Sequence, residues 1–157
     1  MIRHLLCLLA AIGTLLTSTG AAAQSKEVPY WASVRWTEVN MRVGPSENYK
    51  IEWVYKRPGL PLKVVRKAEG WRLVQDPDGT QGWVTARSLV LKRTAIVAGE
   101  GLAAMRAEPN ASAAIKWNAQ VGVVGGLGDC EAGYCEFDVS GRKGWVRENR
   151  LWGAGKP

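Results

Sequence analysis

The sequence predicts an all-β protein made of two tandem small barrels, and three observations predict it: an internal repeat, strand-like alternation within each copy, and turn residues between the alternating segments. Met41-Arg42, Pro45, Ile51 and Trp53 recur as Met105-Arg106, Pro109, Ile115 and Trp117, each 64 residues further on. Gly79, Gly82-Trp83-Val84 and Leu89 recur as Gly141, Gly144-Trp145-Val146 and Leu151, each 62 further on. Between these blocks Leu62-x-Val64-Val65 pairs best with Val121-x-Val123-Val124, at an offset of 59, which implies a longer loop in the first copy around Lys56 to Pro61. Self-similarity of this kind marks a duplicated structural unit, and a copy of this length suits a small all-β module.

Within each copy the apolar residues follow a period of two. Ile51, Trp53 and Tyr55 alternate with Glu52, Val54 and Lys56, the pattern of a half-buried strand. Trp71 to Val74 and Gly82 to Val84 flank the turn sequence Asp76-Pro-Asp-Gly-Thr80, and the second copy places DVSGRKGWV at the same point; proline, aspartate and glycine supply the dihedrals that tight turns demand. Pro58, Gly59 and Pro61 interrupt any helix. These signals divide the chain into a signal peptide (1–23), a leader (24–32), repeat one (33–92), a linker (93–101), repeat two (102–153) and a tail (154–157).

The signal-peptide reading rests on order. Arg3 gives a positive start, Leu5 to Leu16 form a short apolar run, and Ala21-Ala22-Ala23 ends in small residues. That run falls short of the roughly 20 apolar residues of a membrane span, so no stable span is expected once it is removed, and an exported, periplasmic product is expected. His4 is the sole histidine of the chain and belongs to this segment. Cys130 and Cys135 are expected to form a disulfide in an oxidising compartment, stapling the hairpin GDCEAGYC. Their spacing is not that of a C-x-x-C redox motif, and two cysteines without histidine make a poor metal site. Charge is uneven: Gln24 to Arg93 carries 13 Lys/Arg against 7 Asp/Glu, whereas Thr94 to Pro157 carries 7 of each. A basic half can attract anionic surfaces; nucleic acid is not an expected partner of an exported chain.

The motifs resemble a known family. NMRVGPS at Asn40 to Ser46, EGW at Glu69 to Trp71 and GTQGWV at Gly79 to Val84 are similar to the bacterial SH3-like (Src-homology-3-like) domain, whose pattern runs N-x-R-x-G-P-S, then G-W, then G-x-x-G-W-V. KIEWVYKRPGLPLKVV and the terminal RLWG resemble its α-proteobacterial periplasmic two-repeat members. The likeness spans about residues 33 to 153. The second copy departs from it, since Ala104 and Glu108 stand where Asn40 and Gly44 would repeat. The resemblance implies a bent five- or six-stranded barrel per repeat and a binding role, since relatives attached to cell-wall enzymes often hold peptidoglycan.

Catalytic constellations are weak. Without a histidine after His4 there is neither a Ser-His-Asp triad nor a Cys-His dyad. Ser140-Gly-Arg-Lys143 matches S-x-x-K, but it sits on a turn with no helix behind it. Asp76 and Asp78 share one tight turn, where capping is the simpler role. Gly125-Gly126-Leu127-Gly128 lacks the helix a phosphate loop needs and reads as a hairpin loop. No catalytic residue, metal or cofactor is therefore assigned. Trp83 and Trp145 follow glycine in equivalent strands and read as structural, and Trp53 and Trp117 read the same way because recurrence favours a shared core. Asn40, Arg42, Gly44, Pro45, Arg106 and Pro109 complete the structural motif, the two arginines holding loop carbonyls or carboxylates. The binding candidates are Tyr49, Tyr55, Lys56, Arg57 and Trp71, on or near the long loop of copy one: aromatic faces pack on a sugar or peptide, and Arg57 suits a carboxylate. The expected partner is cell-wall peptide or glycan, the alternative an adaptor role toward another envelope protein.

Overall fold

The computed structural model describes residues 26–157; the signal-peptide reading, with His4 and Cys7, lies outside the described residues. Fourteen strands and two short 3-10 turns form two antiparallel sheets of seven strands each. Repeat one holds β1 (Tyr30–Val34), β2 (Val39–Arg42), β3 (Ile51–Tyr55), β4 (Pro61–Ala68), β5 (Trp71–Gln75), β6 (Gln81–Thr85) and β7 (Leu89–Val90). Repeat two holds β8 (Thr94–Val97), β9 (Ala103–Arg106), β10 (Ile115–Ala119), β11 (Val124–Glu131), β12 (Tyr134–Val139), β13 (Arg142–Arg147) and β14 (Leu151–Trp152). The strand orders are the same, β3-β2-β6-β5-β4-β1-β7 and β10-β9-β13-β12-β11-β8-β14. The 3-10 turns Ala86–Ser88 and Glu148–Arg150 occupy equivalent places. Among the described residues no helix is long and apolar enough to cross a membrane.

One apolar face per strand forces each sheet to curl. In repeat one all seven strands send residues into a single interior: Val34 from β1, Met41 from β2, Tyr55 from β3, Leu62 and Val64 from β4, Val74 from β5, Val84 from β6 and Leu89 from β7. A flat sheet cannot bring seven strands to one small core; a twisted, closed-up one can. Repeat two does the same around Val97, Met105, Phe137, Val146 and Leu151. Each repeat thus has seven strands rather than five or six. The first of them comes early in both copies: β1 begins inside the stretch read as leader, and β8 lies inside the stretch read as linker.

Register corrects the alignment of the two copies. Gly59 and Gly122 both sit at positive φ, and their N–H groups donate to the Val34 and Val97 carbonyls (2.7 and 2.8 Å). Val64 pairs with Val74 as Leu127 pairs with Phe137. Leu62 therefore corresponds to Gly125, not to Val121, and the first copy's loop before Gly59 is longer by one residue only. The exchange conserves volume, the condition under which cores tolerate substitution. Repeat one fills one layer with Leu62 and Val74, both wholly buried. Repeat two fills it with Phe137 over Gly125, where a Cβ would meet the ring at 2.8 Å. The run from Gly125 to Gly128 is accordingly strand, not hairpin loop.

Cys130 and Cys135 are directly opposed on β11 and β12 and form a disulfide. Repeat one has Lys67 opposite Arg72 at this place, where the Arg72 guanidinium reaches the Tyr30 hydroxyl at 3.1 Å. Cys130 is exposed and Cys135 wholly buried. Cys130→Ser removes the bond while leaving the core thiol in place, and the short loop it closes sets the expected loss at about 2 kcal/mol. Denaturant titration of the oxidised protein and the variant measures it; reduced wild type should match the variant.

Candidate groove between the repeats

The two barrels abut through a polar relay and an aromatic pair. The Ser33 and Thr94 hydroxyls lie 2.6 Å apart, with the Lys92 carbonyl 2.7 Å from Ser33 and the Gly59 carbonyl 2.7 Å from Thr94. Two protons serve these three contacts, so one hydroxyl donates to the other, which in turn donates to its carbonyl. Ser33 and Thr94 are both buried, so these bonds satisfy groups that would otherwise be costly. The Trp31 ring meets Trp152 edge to face at 5.1 Å, and its indole N–H donates to the Gly155 carbonyl (3.1 Å). Arg93 donates to the Gly153 carbonyl (2.6 Å), and burial lowers its pKa. Arg57 reaches across to the Gly122 carbonyl at 2.6 Å.

Beside this junction lies a groove of about 530 Å³. Its walls come from both copies: Trp53, Tyr55 and Leu60 on one side, Ile96, Val121 and Gly122 on the other, with the Asp76–Thr80 turn at one end. Trp53 is 57% exposed and Val121 49%, so the apolar walls are open to a ligand. The turn is built by Asp76, whose Oδ1 accepts the N–H groups of Asp78 (3.1 Å) and Thr80 (2.9 Å). Its Oδ2 accepts from the Tyr55 hydroxyl at 3.4 Å, and that hydroxyl also contacts Met41 Sδ at 3.2 Å. Ala119 and Val139 stand in place of Tyr55 and Asp76 in repeat two. The fold does not need this polar pair; repeat one has it and repeat two forms the same sheet without it.

Burial holds the Tyr55 phenol far above its ordinary pKa of 10.0, reinforced by the charge of Asp76, the bond to it and the charge of Asp78. A raised native pKa contributes stability that is complete below the unfolded value and declines as pH rises past it. The melting temperature should therefore fall above about pH 10, and Tyr55→Phe should flatten that fall. Parallel alkaline melts of the two proteins check this; superimposable slopes would refute it.

The five binding candidates do not form one cluster. Tyr55 lines the groove as a buried wall, and Arg57 is spent on the cross-repeat bond to Gly122, which itself lines the groove. Lys56 is exposed. Tyr49 covers Gly44, where a Cβ would meet its ring at 2.6 Å. Trp71 lies on β5 beside Thr85 and the Pro45–Asn48 loop, away from the groove. Trp53 and Trp117 are not core residues. They sit on β3 and β10, the end strands of their sheets, 57% and 42% exposed, because an end strand has a neighbour on one side only. Arg142 stacks on Trp117 at 5.5 Å and Arg66 on Trp83 at 5.4 Å. Arg42 donates to the Tyr49 carbonyl (2.6 Å) and Arg106 to the Ala113 carbonyl (2.7 Å), the same loop-closing bond in both copies. Asn40 is exposed on β2, and Pro45 and Pro109 lie in the following loops. No sequence signal marked Val121 or Ile96 as binding residues, since they share a groove with Trp53 only when two copies pack. Among the described residues no group of three or more His, Cys, Asp or Glu could hold a metal ion.

No curated protein matches the chain. Two solved structures are weakly similar: NlpC2 from Trichomonas vaginalis, 14% identical over 82% of this chain and 49% of that one at a TM-score of 0.36, and NlpC1 from the same organism, 14% identical over 87% and 50% at 0.35. The chain spans about half the length of these proteins, and a likeness this low carries no argument about activity. The family model of the bacterial SH3 domain matches residues 36–90 and 99–153. Each match begins just after β1 or β8 and runs to the end of β7 or just past β14, and together they cover most of the chain. On that match, and on two sheets of identical strand order, the chain belongs to the bacterial SH3 domain family and carries the domain twice.

Proposed function

We propose that this protein is an exported, periplasmic binding module that holds a segment of cell-wall peptide or glycan in the groove between its two repeats, and that it binds without catalysing a reaction. The observation that carries the reading is the groove itself: an exposed indole and aliphatic walls from two copies, beside a tyrosine–aspartate pair that repeat one contributes and repeat two lacks. Open apolar walls with a few fixed polar groups are the usual make-up of a binding cleft. Bacterial SH3 domains commonly bind cell-wall material, and the N-terminal 23 residues read as an export signal. Co-sedimentation with purified cell-wall sacculi tests the proposal. Folded protein should pellet with sacculi at low salt, and its absence from the pellet would overturn it.

A second reading has its own support. β3 and β10 are end strands with Ile51, Trp53, Ile115 and Trp117 exposed on them, and an unpaired strand edge accepts an added strand. An envelope protein docked there makes the chain an adaptor, and cross-linking from these strands to one protein, with indifference to sacculi, would favour it.

A further inference from the structure

We propose that repeat two carries a separate binding site on the outer face of its sheet, a glycine-floored pocket for a small zwitterion of the amino-acid or dipeptide class. The pocket measures about 350 Å³ and lies over β11, β12 and β13, with Lys116 of β10 at its rim, within the size range of small-ligand sites. Its floor is β11, where Gly126 and Gly128 replace side chains. Glycine inside a strand weakens it and marks a place where something approaches the backbone closely. Packing accounts for two of the three glycines here. A Cβ on Gly125 would meet the Asp138 carbonyl at 2.6 Å, and one on Gly128 would meet the Glu136 carboxylate at 2.7 Å. Gly126 has no such reason: its nearest contact would be Asp138 Cβ at 3.9 Å, an ordinary distance, and its φ is not left-handed. The missing side chain leaves room, and that room is the pocket.

Repeat one serves as an internal control. The same register places Lys63 where Gly126 stands, Val65 where Gly128 stands, Leu73 for Glu136, and Gln75 and Gln81 for Asp138 and Lys143. Repeat two has thus lost bulk and gained two carboxylates on one face, with the positive charge moved from the floor (Lys63) to Lys143, around a tryptophan that both copies share. Lys143 Nζ lies 3.9 Å from Asp138 Oδ2, too long for a tight hydrogen bond, and Asp138 Oδ1 accepts the Gly141 N–H at 2.7 Å. Among the described residues Lys116 and Glu136 have no opposite charge within 4.0 Å. Two ammonium groups and two carboxylates around one small hollow suit a ligand that brings a carboxylate and an amine together. Trp145 lines the hollow and supplies apolar surface for the rest of the ligand.

This site does not depend on the groove between the repeats, and its failure leaves that reading untouched. The test is an NMR titration of the full chain with the dipeptide alanyl-alanine, its N-acetyl form and its C-terminal amide. The zwitterion should shift the amides of β11–β13 and the Trp145 indole N–H in a saturable way, and blocking either end should weaken binding at least about tenfold. Gly126→Val, which fills the floor, should abolish the shifts. The double variant Lys116→Ala/Lys143→Ala, at two exposed positions, should weaken binding at least about tenfold with an otherwise native spectrum. Absence of saturable shifts at about 10 mM dipeptide, or shifts unchanged by both variants, would overturn the proposal.

Discussion

Phe137→Ala is expected to destabilise the protein by about 3–5 kcal/mol, the cost of deleting a buried phenylalanine together with the cavity it leaves. The reason for the high figure is local. Phe137 is 1% exposed and is the largest fully buried side chain among the described residues. Its partner across the layer is Gly125, which has no side chain to relax into the vacancy. The corresponding change in repeat one, Val74→Ala, leaves Leu62 to fill part of the space and should cost less. Urea denaturation of the two variants compares them directly. If Val74→Ala proved the more damaging, the assignment of one shared layer to Leu62 with Val74 and to Gly125 with Phe137 would fail.

The second large effect is on binding. An exposed tryptophan in a groove is the kind of side chain that dominates contact energy, and truncating such an anchor costs 2 kcal/mol or more. Trp53→Ala should therefore weaken retention on cell-wall sacculi by about thirtyfold. Trp53 is 57% exposed on an end strand, so the substitution should leave the melting temperature nearly unchanged. Trp117→Ala is the matched comparison. It removes the equivalent indole of repeat two, which lines no part of the groove, and should leave retention intact. Equal losses from both variants would point away from the groove and toward the strand edges.

The repeat was legible because equivalent strand residues recur in blocks of fixed spacing: Met41 and Met105 are 64 apart, Trp83 and Trp145 and Leu89 and Leu151 are 62 apart. Where the copies solve the same packing problem with different side chains, letter matching misleads. Leu62 resembles Val121 in the sequence, yet strand pairing sets it against Gly125, whose missing volume Phe137 supplies from the next strand. Recurrence also overstated burial. Trp53 and Trp117 recur because both occupy an end strand, not because both enter a core. The candidate site was half legible. Tyr55 lines the groove and Arg57 bonds the Gly122 carbonyl at its edge, but the opposite wall of Ile96 and Val121 belongs to the other copy. Nothing local in a sequence records which faces of two repeats will meet. That contact depends on buried Ser33 and Thr94 finding each other across 61 residues of chain.

The most direct test of the account is residue-level mapping of soluble peptidoglycan fragments on the isotope-labelled full chain. The account predicts saturable shifts centred on the Trp53 indole N–H and on the amides of Tyr55, Asp78, Ile96 and Val121, spanning both repeats at once. Shifts confined to one repeat, or clustered around Tyr49 and Trp71 with the junction silent, would contradict it.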